Sequence, residues 1–94
     1  METSILVELA IVNAKQPLKA LADVSLHWEG TELRIRRCAV FEKSGQPPWA
    51  TLPRLSIQKN GMREFVPIID LSKDLKKRVL EAVLAEYRSR NDLR

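Results

Sequence analysis

Apolar and polar residues alternate along most of the first two thirds of the chain, and a longer period then takes over. Leu18, Ala20, Ala22, Val24, Leu26 and Trp28 alternate with Lys19, Leu21, Asp23, Ser25, His27 and Glu29, the period-2 signature of a strand with one buried face. Glu29-Gly30 makes a short turn, after which Leu33, Arg34, Ile35 and Arg36 resume the alternation, so residues 18–41 predict a β-hairpin. Ahead of it, Ile5, Val7, Leu9 and Ile11 share one face of a first strand. Leu6, Ala10 and Val12 on its other face predict burial on both sides and a central position. Asn13 to Pro17 is the predicted connection.

The phase breaks at Arg36-Arg37. If Leu33 and Ile35 point inward, Arg37 should follow, yet Cys38 and Val40 form the next inward pair. One extra residue restores the pattern, which predicts a β-bulge that turns the adjacent arginines toward solvent. Phe41 to Pro48 reads as a loop. Trp49 to Ile57 is a strand interrupted at Pro53, which confines that position to an edge or a bulge. Lys59-Asn60-Gly61 is a hairpin turn, because Asn-Gly supplies the two positive-φ residues of a type I′ turn. Met62 to Val66 returns as the last strand.

From Ser72 to about Ser89 the spacing is helical: Leu75, Val79, Ala82, Val83 and Tyr87 form one apolar stripe, widened by Leu80 and Leu84. Ser72 is the predicted N-cap, with Asp74 in the first turn and Arg88 and Arg90 in the last, matching the helix dipole. These segments predict an α+β fold: a five-stranded, mostly antiparallel β-sheet with one C-terminal α-helix packed on one face. One helix leaves apolar residues such as Leu6, Val12, Leu21, Trp49 and Phe65 without cover. Residual apolar surface of this kind marks self-association. A homodimer is therefore expected, with Leu6, Val12 and Phe65 in its interface.

The length of 94 residues supports one domain spanning 1–94, with 91–94 as a frayed tail, and excludes barrel or two-domain enzymes. No apolar run reaches the 18 or more residues of a membrane span. Glu2 and Glu8 interrupt what would be a secretory leader, so a cytoplasmic protein without membrane contact is expected. A single cysteine, Cys38, and a single histidine, His27, exclude an internal disulfide and the usual Cys/His zinc sites.

Catalytic chemistry finds little support. Cys38 lies in an apolar strand, where free cysteines are mostly inert core residues. His27 stands alone on a polar side. Glu29 and Glu32 flank a turn, Glu81 and Glu86 are five apart on the helix, and neither pair sits in apolar sequence that would raise a carboxyl pKa. Gly30, Gly45 and Gly61 each belong to a turn, so no glycine-rich phosphate loop exists. A non-enzymatic protein is expected, with no cofactor, no metal and no small-molecule substrate.

The basic residues are more informative. Residues 1–33 hold two basic and five acidic side chains, net −3, whereas residues 34–94 hold fourteen and seven, net +7. Lys73, Lys76, Lys77 and Arg78 crowd the helix start, where they oppose the macrodipole, so helix stability does not account for them. Lys73, Lys76 and Lys77 are expected on the face opposite Val79 and Val83. Arg34, Arg36, Arg37, Arg54, Lys59 and Arg63 add sites on sheet edges and turns. Arg34, Arg36 and Arg54 are expected to extend the helix patch along a phosphate backbone. The competing interpretation of the same charges is a homodimeric protein-interaction module that binds an acidic protein partner.

Six short motifs occur in the order found in the SpoVG family of bacterial septation and sporulation regulators. They are Leu18-Lys19-Ala20, Gly45, Trp49-Ala50-Thr51-Leu52-Pro53, Gly61, Val66-Pro67-Ile68 and Ala82-Val83-Leu84-Ala85-Glu86-Tyr87. About residues 5–90 resemble that family. The family's serine after the proline is replaced here by Arg54, and its glycine-rich loop by Lys43-Ser44-Gly45-Gln46-Pro47-Pro48. The resemblance implies a small homodimeric regulator that binds DNA and RNA. By position, it implies binding roles for Arg54 and for Lys73, Lys76, Lys77 and Arg78.

Overall fold

The computed structural model of the chain describes residues 3–12 and 17–92. The alternating segments form β1 (Ser4–Ile11), β2 (Leu18–Trp28) and β3 (Thr31–Phe41). The short β4 (Trp49–Thr51) follows, then β5 (Arg54–Lys59), β6 (Met62–Pro67) and the helix α1 (Lys73–Asp92). The fold is α+β with the C-terminal helix packed on one face of a sheet. The strand arrangement departs from the expected five-stranded sheet. Among the described residues, six strands form two antiparallel sheets, one ordered β1-β2-β3-β4 and the other the ribbon β5-β6.

The division falls at Leu52-Pro53, within the segment expected to be one strand. Pro53 has no N–H to give to a ladder, so the chain leaves the first sheet there and starts a second. Residues 13–16 of the expected connection lie outside the described residues, as do 93–94 of the expected tail. The helix itself continues to Asp92.

The first strand is also placed differently. β1 pairs only with β2 and forms an edge of the sheet, where its side chains alternate between covered and exposed; Leu6 is 60% exposed. Apolar residues on both faces therefore mark one face against the helix and one open face.

The two hairpin turns and the bulge lie where expected, whereas Arg88, expected in the last helical turn, precedes it because the helix runs on to Asp92. Glu29 and Gly30 take φ of 45° and 75° between β2 and β3, and Asn60 and Gly61 take 55° and 77° between β5 and β6. Both turns thus occupy the left-handed region twice, as two-residue hairpins require. The bulge lies where the phase breaks: Ala22 pairs with Cys38 and Val24 with Ile35, leaving Arg36 and Arg37 opposite Asp23 alone. A second irregularity leaves Lys19 as the extra residue on β2, between the Leu18–Phe41 and Ala20–Val40 pairs.

The core joins the inward face of the four-stranded sheet to one stripe of the helix. Leu9, Ala20, Ala22, Val24, Leu26, Ile35, Cys38, Val40 and Leu52 pack with Val79, Val83 and Tyr87. At the helix start the Ser72 hydroxyl accepts the Leu75 N–H at 3.3 Å, as an N-cap should. Near its end the Tyr87 hydroxyl donates to Glu42 Oε1 at 2.7 Å, tying the helix to the chain just after β3.

The β5-β6 ribbon stands apart from this core. Its two strands pair with each other, and their backbones approach no other strand and not the helix. The molecule measures 44 × 39 × 19 Å, with a radius of gyration of 14.5 Å, above the roughly 12 Å of a compact domain of this length. The ribbon is an arm.

Candidate nucleic-acid interface

The bulge sets the first basic group. The alternation that sends Ile35 into the core sends Arg34 and Arg36 to the open face, where Arg34 lies opposite Ser25. Arg37 holds a φ of 68°, and its backbone N–H donates to Asp23 Oδ1 at 3.2 Å. Arg36 and Arg37 border an open depression of about 450 Å³ shared with Glu8, Ala10, Leu21 and Asp23. Glu8 and Asp23 are direct cross-strand partners, so two carboxylates and two guanidinium groups face the same space.

The second group is carried by the arm. Its register pairs Arg54 with Pro67, Ser56 with Phe65 and Gln58 with Arg63, which puts these six residues on one face. Leu55, Val66, Ile57 and Met62 lie on the other, together with Glu64 and Lys59. One face of the arm is thus polar and basic around a single aromatic ring, and the other is mainly apolar. The Arg54 guanidinium carbon lies 5.1 Å from the centroid of the Phe65 ring, within cation–π range.

The third group opens the helix. Lys73, Lys76, Lys77 and Arg78 are all exposed. Lys76 does not lie opposite the packed stripe as expected. One turn before Leu80, it lines a depression of about 340 Å³ with Leu80, Asp70, Leu52 and Arg54. The fold therefore places Lys76 and Arg54, 22 positions apart in the chain, on the lining of one depression. Arg78 donates through a guanidinium N–H to the Thr3 carbonyl at 2.9 Å, which ties the helix to the start of β1.

These groups do not form the continuous patch expected from the sequence. The helix covers the inward face, and Arg34 and Arg36 project from the opposite one, so the bulge arginines and the helix lysines occupy different sides of the sheet. A period-2 reading of β3 shows that Arg34 and Arg36 share a face. It does not show which face the distant helix covers.

Among the described residues Arg90 forms an ion pair with Glu86 at 3.3 Å, and His27 Nε2 lies 4.0 Å from Glu32 Oε1. Arg34, Arg36, Arg37, Arg54, Lys73, Lys76, Lys77 and Arg78 take part in neither contact. The expected dimer residues lie apart: Leu6 on the open face of β1, Phe65 on the polar face of the arm, and Val12 half-buried beyond β1 with its N–H bonded to the Lys19 carbonyl at 2.8 Å. The arm's apolar residues Leu55 and Met62, exposed by 53% and 73%, were not among the expected interface residues. The two-residue Asn60-Gly61 turn contained the signal, since it fixes the register and hence the members of each face.

Cys38 is fully buried, and burial followed by the nearby Asp23 carboxylate pushes its thiol up to about 11. Among the described residues, no three His, Cys, Asp or Glu side chains converge as a metal site would require. Among the described residues, no helix is long and apolar enough to cross a membrane. Compared with models of protein families, with curated proteins and with solved structures, the chain matches none.

Proposed function

We propose that this protein is a non-enzymatic, cytoplasmic nucleic-acid-binding regulator of the SpoVG type, acting as a homodimer on DNA or RNA. The observation that carries this reading is the set of seven exposed arginines and lysines, Arg34, Arg36, Arg37, Arg54, Lys73, Lys76 and Lys77, none in an ion pair among the described residues, whereas Arg78 of the expected set is tied to the Thr3 carbonyl. Polyphosphate binding draws on such unpaired cations, because each contact releases counterions and carries no internal ion pair to break. Arg54 and Lys76, at one depression, supply two charges from separate elements.

The protomer's surface supports dimerisation. The protomer exposes 7103 Å², against roughly 5,500 Å² for a compact monomer of its mass. The excess exceeds the ~800 Å² that each partner contributes to a standard interface. Leu55, Ile57, Met62 and Val66 on the arm are the apolar residues that a second copy would cover. An isolated two-stranded ribbon is marginal in water, so covering that face also stabilises the arm.

The test is an anisotropy titration of the protein against labelled single-stranded DNA, duplex DNA and RNA at two salt concentrations. Binding that weakens steeply with salt supports the proposal. No binding to any of the three, together with capture by an acidic polypeptide, establishes the protein-interaction reading instead.

A further inference from the structure

The arm places its one aromatic ring on the face opposite its aliphatic side chains. Leu55, Ile57, Met62 and Val66 share one side of the ribbon, whereas Phe65 lies on the other among Arg54, Ser56, Gln58 and Arg63. Its ring is 55% exposed and has the Arg54 guanidinium 5.1 Å from its centroid. A large apolar ring left in water between two cations is poorly explained by packing. The arm backbone approaches no other strand and not the helix.

We propose that the polar face of the arm binds single-stranded nucleic acid, one base stacking on the surface formed by the Phe65 ring and the Arg54 guanidinium while Arg63 meets the adjoining phosphate. This inference rests on the nucleic-acid reading above and adds the class of ligand and the residues that take it. Unpaired bases present their π faces to aromatic rings and guanidinium planes. Bases in a duplex keep those faces inside the stack and offer only edges. A face with one ring and two cations suits the first and is poor for the second, which depends on many phosphate contacts. Ser56 and Gln58 beside the ring supply hydrogen-bonding groups for a splayed base edge or a sugar hydroxyl.

The test uses the full chain with three labelled probes: a 12-nucleotide oligo(dT), a 12-nucleotide oligo(rU) and a 12-base-pair duplex. Phe65→Leu should weaken binding to one or both single strands by about tenfold, the scale of one missing stack, and leave the duplex affinity within about twofold. The slope of log K against log salt should not change, since every phosphate-binding cation is still present. Phe65→Tyr should restore binding. Arg54→Lys should lose severalfold at the same charge, because an ammonium lacks the flat guanidinium surface.

A Phe65→Trp variant gives a second measurement should the leucine variant fail to fold. Oligo(dT) or oligo(rU) should quench its emission beyond any change seen in the parent, which reports Trp28 and Trp49. If the parent binds single strands and Phe65→Leu binds them equally well, or the tryptophan is not quenched, the stacking site is overturned while the nucleic-acid reading stands. Binding to the duplex alone overturns the site as well. If the parent binds none of the three probes, both proposals fall.

Discussion

The backbone N–H of Arg37 donates to the Asp23 carboxylate across the β2–β3 pair, at the point where two residues of one strand oppose one residue of the other. An amide displaced from the ladder is thereby satisfied, and Arg37 is held at a φ of 68° that residues with a Cβ seldom adopt. The bond partly offsets the backbone cost of turning Arg36 and Arg37 to the open face. Asp23→Ala should destabilise the fold by about 1 kcal/mol. Arg37→Gly, which removes the left-handed penalty, should be neutral or stabilising by up to about 1 kcal/mol. Urea unfolding followed by circular dichroism measures both, and a clear loss for Arg37→Gly would show that the side chain itself stabilises the bulge.

The same carboxylate acts on Cys38. Its thiol is raised from 9.0 to about 11, mainly by burial and then by Asp23. Folded protein holds this proton more tightly than the unfolded chain, so between about pH 9 and 11 unfolding releases a proton and stability falls as pH rises. The contribution is fully present below pH 9 and is on the order of 3 kcal/mol. Cys38→Ala should cost about 1 kcal/mol at neutral pH and flatten the alkaline loss relative to the parent. Thiol reagents should label Cys38 only after denaturation. Rapid labelling of native protein would contradict its burial.

At the helix start, Lys76 and Lys77 stand near the positive end of the dipole, and Lys76 shares a depression with Arg54. Replacing both lysines by Glu should weaken DNA binding tenfold or more, about 1.4 kcal/mol or above. The salt slope should become shallower by roughly 0.9 for each duplex phosphate that the variant leaves unneutralised. The fold should persist, because acidic residues suit the first turn. An unchanged affinity and slope would move the binding surface to Arg34, Arg36 and Arg37 on the opposite face.

Arg78 behaves differently from its neighbours, since its guanidinium is bonded to the Thr3 carbonyl. Arg78→Gln should lower stability by about 1 kcal/mol and leave the salt slope of DNA binding unchanged. A shallower slope with unaltered stability would reassign Arg78 to the ligand.

The arm supplies the test of assembly. Wild-type protein should sediment at twice 10.8 kDa at micromolar concentration. Leu55→Lys with Met62→Lys should give a folded monomer, because these side chains lie on an arm whose backbone approaches no other element. A monomeric parent, or a dimeric double variant, would rule out the arm as the interface.

Features that depend on neighbouring residues alone were legible in the chain. Asn60-Gly61 and Glu29-Gly30 announced their turns through positive φ, Ser72 announced its cap, and the broken phase at Arg36-Arg37 announced the bulge. Each follows from local sterics or from a period that one residue can shift. The partners of each strand were not legible, because alternation shows which residues share a face and is silent on what lies beside or above it. Thus β1 read as central but lies at an edge, and the strand expected across Pro53 divided into two sheets. Lys76 came to share a depression with Arg54, and Arg34 and Arg36 were separated from the helix lysines, only once α1 had settled on one side of the sheet. That choice rests on burying Val79, Val83 and Tyr87 against strands far earlier in the chain, a long-range packing energy that no local pattern encodes.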